Sequence, residues 1–353
     1  MPNVKVVVFG RGNGESILVE IEKDHWMVVD SFVNPQTRKP AAISYLESKG
    51  LDPKEVLRTV VMTHFHEDHI KGMSNVIANA HPDAKVCMPQ ALTEKEAITF
   101  YNSFDMLNGY DDASMVREMV KVLDYLEKHK KHPVKLTQDK LIFENTSHVI
   151  TALSPSDFDC HEATNRFVAE ISGVKDIPKA ASKHSPNHFC IAINIENKHN
   201  KESVLLGGDL EICSNPQGGW DGVLNTIKAP ELGSIEIFKV PHHGSETAFH
   251  QDTWEQYTAE DVVALLTTYN SSSLPREEYV KIFKGFTNHL ICTTKPKYPT
   301  KGVLSQKALS ILSKKKSSIV MSNVTPKSSF GYVESTHNSH YVSYSLFEDA
   351  TLL

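Results

Sequence analysis

The chain of 353 residues carries 43 acidic against 37 basic side chains, and a net charge of -6 gives no overall electrostatic pull toward nucleic acid or an anionic membrane. Hydrophobic residues make up 40%, with 17 glycines and 17 prolines, a globular composition rather than a disordered or fibrous one. The five cysteines are scattered and lack any C-x-x-C spacing, which argues against a disulfide framework and suits a reduced, cytoplasmic protein.

The segment before Val6-Val7-Val8-Phe9 is too short for a signal-peptide core, and no apolar run nears the roughly 18 residues of a membrane span. Three strands are predicted first: Val4 to Phe9, then Ser16 to Ile21 after a glycine turn at 10–14, then His25 to Asp30. Ala41 to Lys49 reads as a helix, Val56 to Met62 as a buried strand, Gly72 to Ala80 as a helix and Lys85 to Met88 as a strand. Residues 93–132 change character: they are charged and helix-periodic, and are read as a helical insertion, a lid, a substrate wall or a plain surface helical pair. Strands return over Leu141 to Pro155, with a helix over Ser156 to Ile171 and a loop over Gly173 to Lys183. Further strands are expected at Phe189 to Ile195, Ser203 to Gly207, Ile235 to Val240, Val262 to Thr267, Leu290 to Thr293 and near Ile319 and Tyr341. About a dozen strands with helices between them predict two sheets sandwiched between helices in one domain over 1–353.

Thr63-His64-Phe65-His66-Glu67-Asp68-His69 follows the strand ending at Met62. Residues two apart on an extended segment point the same way, so His64 and His66 can converge on one ion, while Asp68 and His69 reach a second. Imidazole and carboxylate suit zinc and its neighbours. Three more clusters stand at expected strand ends, where ligands distant in sequence can meet. They are Asp209, placed to bridge two cations, the pair His242 and His243, and His184 with His188 around Asn187.

This set resembles the metallo-β-lactamase-fold hydrolases, and within them the branch containing the C-terminal domain of bacterial competence DNA-uptake channel proteins (ComEC-like). The likeness runs from Val8 to about Thr294. Gly12-Asn13-Gly14-Glu15-Ser16 is similar to that branch's Gly-x-Gly-Asp-Ser entry, with Glu15 in the aspartate place. His64, His66, Asp68 and His69 fill the H-x-H-x-D-H motif. Asp30 matches an acidic position that supports the histidine loop. Gly207-Gly208-Asp209-Leu210-Glu211 and Lys239-Val240-Pro241-His242-His243-Gly244-Ser245 are similar to two further motifs. For the third metal motif one alignment selects His184 and another selects Asn187 and His188. His337 and His340 lie beyond the matched region and read as surface strand residues. The loop 269–275 lacks the branch's histidine before proline, and Asn270 or Ser273 stands in its place.

The resemblance implies an αββα sandwich with the helical insertion, and a centre of two divalent ions, zinc or manganese. His64, His66 and the third-motif histidine would hold one ion. Asp68, His69 and one of His242 and His243 would hold the other, with Asp209 between and the spare histidine facing substrate. The function it implies is hydrolysis by an activated water, with Asp68, His242 and His243 in catalytic roles. The substrate expected is a phosphodiester, in DNA or a small nucleotide. Amide, lactone or thioester hydrolysis is the enzymatic alternative, and a noncatalytic metal-stabilised binding module the alternative of another class.

Overall fold

The computed structural model describes residues 4–105, 114–172, 186–226, 232–298, 329–338 and 341–353. It opens on β1 Val4–Gly10 and β2 Glu15–Glu22, an antiparallel pair, followed by β3 His25–Val29. Gly14 in the first turn has φ +153, and a Cβ there would lie 2.9 Å from the Phe32 ring, so the turn needs glycine. Strands β4 Leu57–Val61, β5 Lys85–Pro89 and β6 Val134–Leu136 then add in parallel to β3.

The second sheet repeats this plan. Its antiparallel part is β7 Lys140–Glu144, β8 His148–Ala152, β9 Ile193–Asn197 and β10 Glu202–Leu206. Its parallel part continues from β10 through β11 Ser234–Lys239, β12 Thr258–Leu266 and β13 His289–Cys292. A hairpin, β14 Gly331–Asn338 and β15 Tyr341–Glu348, closes the first sheet against β1, and β16 Thr351–Leu352 closes the second against β13. The sheet orders are β15-β14-β1-β2-β3-β4-β5-β6 and β16-β13-β12-β11-β10-β9-β8-β7, so two mixed sheets of eight face each other.

Strand periodicity of two divides the core into three layers. Along β1, Val6 and Val8 point between the sheets and meet Ile193, Ile195, Leu206 and Ile237, whereas Val7 and Phe9 point outward. The outer face of the first sheet packs on helices Ala41–Ser48, Met73–Asn79, Lys95–Asp105 and Ser114–Lys128. The outer face of the second packs under Trp220, Trp254 and Phe283 of helices Gly219–Leu224, Gln251–Tyr257 and Glu277–Phe283. This is the expected αββα sandwich. Within 93–132, the two helices pack on each other and the first packs on helix Asp157–Ser172. Among the described residues no helix is long and apolar enough to cross a membrane.

Three expectations are corrected. The strand expected from Phe189 starts only at Ile193; Pro186–Phe189 is a 3-10 turn, and the backbone after it is diverted to the first sheet, where Ile191 N–H donates to Thr63 O at 3.2 Å. The edge hairpin adds Gly331–Asn338, a strand not anticipated. His337 is not a surface residue. It alternates with Val333 and Ser335 on the inward face of β14 and is 4% exposed, with Nε2 2.8 Å from Glu202 Oε2. The segment near Ile319, the loop 173–183, His184 and His340 lie outside the described residues.

Candidate metal centre

The parallel parts of both sheets end on the same side, and ligand sites in open α/β sheets form beyond such carboxyl ends. His64 to His69 follow β4, Asp209 follows β10, His242 and His243 follow β11, and Thr267 and Tyr269 follow β12. The anchor on the first sheet is Asp30, just past β3, 1% exposed and at φ +60. Its Oδ1 accepts from Thr63 N–H at 2.8 Å, and its Oδ2 from Thr63 Oγ1 at 2.6 Å. Oδ2 also lies 2.7 Å from His69 Nδ1. A carboxylate only accepts, so His69 Nδ1 carries its proton and Nε2 is turned to the centre. Burial raises the Asp30 carboxyl, and the contacts to His69 and Thr63 offset part of that rise.

The side chains converge on Asp209, which is 1% exposed. His69 Nε2 lies 3.2 Å from Asp209 Oδ1, His64 Nε2 3.7 Å from Oδ2 and His243 Nε2 3.9 Å from Oδ2. Asp68 Oδ2 is 3.1 Å from His243 Nε2 and 3.6 Å from His69 Nε2. Two groups of ligand atoms share Asp209: one is His64 and His66, the other is His69, His243 and Glu15. The atoms of each group lie within 4.8 Å of one another.

His64 Nε2, His69 Nε2 and Asp209 Oδ1 are all buried without a hydrogen-bond partner. His69 Nε2 and Asp209 Oδ1 stand 3.2 Å apart. Orphaned buried polar atoms each cost roughly 1–3 kcal/mol, so three facing one another need a common partner. Ligands about 2.0–2.2 Å from a tetrahedral cation stand about 3.3–3.6 Å apart, close to the separations seen here. The donor set therefore fits divalent cations, with Asp209 common to both groups.

Burial holds His64 well below, and His66 below, the ordinary imidazole range. Burial also pulls His69 down, but the Asp209 and Asp68 carboxylates outweigh it and hold that ring well above its ordinary value. Burial would raise Asp68 and Asp209; the His69 charge, followed by His243, brings both below the usual carboxylate range.

The two adjacent histidines are separated in role by geometry. His243, at φ +53 and 1% exposed, turns into the cluster. His242, at φ +43, stays partly open: its Nδ1 is 2.8 Å from Glu211 Oε1 and its Nε2 3.3 Å from the Asn187 side-chain amide. Burial lowers His242, yet Asp209 and Glu211 together raise it above its ordinary value. Of the third motif, Asn187 thus reaches the edge of the site, whereas His188 Nδ1 faces the Arg166 guanidinium at 3.3 Å and the ring joins neither ligand group. His184 lies outside the described residues.

Sequence reasoning gave no role to several neighbours. Cys190 Sγ accepts from Asp209 N–H at 3.1 Å and sits 3.5 Å from His64 Nδ1, and burial pushes its thiol up. Tyr269 stacks on His243 with ring centroids 5.4 Å apart. Phe65, inside the histidine run, points away into an aromatic cluster with Tyr101 of the 93–132 segment and Phe167, so that segment packs behind the loop. A pocket of about 270 Å³ opens beside Asp68, lined by Arg11, Asn13, Phe32, Glu67, Lys71, Tyr269 and Ser271. Tyr269 and Ser271 line it, while Asn270 is 3% exposed and its N–H donates to Gly12 O at 2.6 Å.

Residues 9–147, which include the histidine run, match the family model of the metallo-beta-lactamase superfamily. No curated protein sequence matches significantly. Solved structures similar to this chain include the metallo-beta-lactamase fold protein YhfI from Bacillus subtilis, at 14% identity over 84% of this chain and 98% of that one, TM-score 0.41. A motif mutant of a metallo-beta-lactamase from Cronobacter sakazakii shares 14% identity over 66% and 75% of the two chains, TM-score 0.34. The subclass B3 metallo-beta-lactamase MEM-A1 from a soil metagenome library shares 10% over 67% and 76%, TM-score 0.33. The family model thus matches the part of the chain that holds β2 to β7 and the histidine run.

Proposed function

We propose that this chain is a metal-dependent hydrolase that cleaves a phosphodiester, in a small nucleotide or at an accessible end or single strand of DNA. The observation that carries the reading is the sharing of Asp209 by two groups of ligand atoms, next to a pocket whose wall holds the Arg11 and Lys71 cations. The likeness of Lys239 to Ser245 to the competence branch supports the same substrate class. In this reading His64, His66 and Asp209 hold one cation, and His69, His243 and Asp209 the other, joined by Asp68, which lies beside both rings, whereas Glu15 is engaged by Lys239 and Thr267. Zinc or manganese there supplies Lewis-acid stabilisation of phosphoryl oxygens and a nucleophilic water near neutral pH.

The chain's own groups do the rest. Asp68, at the pocket mouth, orients the attacking water by accepting its proton as a hydrogen bond. Arg11 holds a non-bridging oxygen with its guanidinium, which is steadied at Nη1 by Val33 O at 3.2 Å. His242, whose hold on a proton Asp209 and Glu211 strengthen against the effect of burial, donates to the departing oxygen. The pocket is below the roughly 300–1,000 Å³ of clefts for drug-sized ligands, which favours one nucleotide unit over a duplex.

The test is turnover of zinc- and manganese-loaded protein on bis-p-nitrophenyl phosphate, short single-stranded DNA, duplex DNA and a cyclic nucleotide, beside a lactone and a thioester. Hydrolysis of the phosphodiesters supports the reading. Hydrolysis confined to the lactone or thioester, or metal uptake with no turnover of any ester, overturns it.

A further inference from the structure

The least expected feature beside the centre is a fully buried ion pair. Lys239 is 0% and Glu15 1% exposed, and Lys239 Nζ lies 2.7 Å from Glu15 Oε2. Neither comes from the histidine run: Glu15 opens β2 in the first sheet and Lys239 ends β11 in the second. Taking two charges out of water is costly, and replacing such a pair by apolar residues is often neutral or stabilising. Packing alone therefore gives no reason for it.

Its surroundings supply one. Glu15 Oε2 also accepts from Thr267 Oγ1 at 2.5 Å, and Thr267 Oγ1 lies 2.8 Å from His243 Nδ1. The Lys239 ammonium also donates to Val240 O at 2.8 Å. We infer that Lys239, Glu15 and Thr267 form a relay that fixes which nitrogen of His243 carries the proton, and so which one faces the second cation.

The proton count follows from donor chemistry. Beside the Lys239 ammonium, Glu15 is an ionised carboxylate and can only accept, so the single Thr267 hydroxyl proton goes to Glu15. The Thr267 oxygen then has only lone pairs to offer His243, and His243 Nδ1 must supply the N–H. That leaves Nε2, on the side of Asp68 and Asp209, as the nitrogen free to bind metal. The same outcome is reached on the first sheet by Asp30, which takes the Nδ1 proton of His69 directly. Lys239, Glu15 and Thr267 are positioning residues, since they act on the site through His243.

This inference rests on reading the centre as a cation site. The experiment measures stepwise zinc affinity of the whole chain by competition with a chromophoric chelator, together with histidine tautomers by 15N NMR. The variants are Thr267→Val, which keeps shape but removes the hydroxyl, and Thr267→Ser, which restores it. Thr267→Val is expected to weaken the second zinc by about 10–100-fold and leave the first unchanged, with Thr267→Ser close to wild type. The NMR of wild type should show His243 protonated at Nδ1 in the zinc-loaded protein. Equal affinities in wild type and Thr267→Val, or equal weakening of both zinc ions, overturns the relay while the metal reading stands. A wild-type chain that binds no zinc overturns both.

Discussion

The two sheets bring their halves of the site together by different means. The first contributes His64, His66, Asp68 and His69 from one short run after β4, and steadies His69 with a single carboxylate in direct contact. The second contributes Asp209 and His243 from separate loops, and steadies His243 through a hydroxyl backed by a buried ion pair. A contiguous run has its spacing set by local backbone geometry. A dispersed half depends on the register of β10, β11 and β12 and on buried polar groups that hold each ring in place. The second half should therefore be the more sensitive to changes remote from the ions.

The largest effects fall on residues that face both halves. Asp68→Ala and His69→Ala are each expected to abolish hydrolysis of bis-p-nitrophenyl phosphate while the circular dichroism spectrum stays that of the native fold. Retained turnover in both would remove the two-cation mechanism and with it the comparison. Next come the supports. Lys239→Met leaves Glu15 as an uncompensated buried charge, with an expected loss of about 3–5 kcal/mol in thermal or urea unfolding. The double variant Lys239→Met with Glu15→Leu should recover much of that stability but not the second-zinc affinity. Recovery of both would mean the pair serves only the fold.

The unequal build also explains what could be read from the sequence. The run at 64–69 is legible because strand periodicity and ligand chemistry coincide in adjacent residues. The αββα sandwich is legible because β1, β4, β10, β11 and β12 are short apolar runs bounded by turn residues. Glu15 was visible only as a motif letter. Nothing local says that its partner is Lys239, since a lysine at the end of a strand ordinarily reads as solvated. The choice between His242 and His243 was equally closed, because it depends on two left-handed backbone positions in succession. His337 reads as a surface residue in the sequence because nothing local shows that its strand inserts beside β1 and turns alternate residues inward.

The pocket wall tests the comparison from the substrate side. Arg11 comes from the first sheet's turn, and Tyr269 from the loop after β12 in the second. Arg11→Ala should raise KM for the phosphodiester by roughly tenfold with kcat little changed, as expected for a contact made equally in ground and transition states. A fall in kcat with KM unchanged would place Arg11 at the developing charge instead.

The smallest expected effect is the pH response of the metal-free protein, and its sign differs between neighbouring rings. His64 and His66 are held below the ordinary imidazole value of 6.5, so the unfolded chain takes up their protons first. The stability they contribute is complete above 6.5 and declines as the pH falls from there toward their folded values. His69 is held above 6.5, so its contribution is complete below that value and is lost as the pH rises through its folded value. Thermal melts of metal-free protein between about pH 5 and 8 should therefore peak near the unfolded imidazole value and decline on both sides. His64→Gln should flatten the acid limb and leave the alkaline limb in place. If it flattens the alkaline limb instead, the contiguous run is charged in the opposite pattern, and Asp30 does not hold His69 as the first sheet's anchored ring.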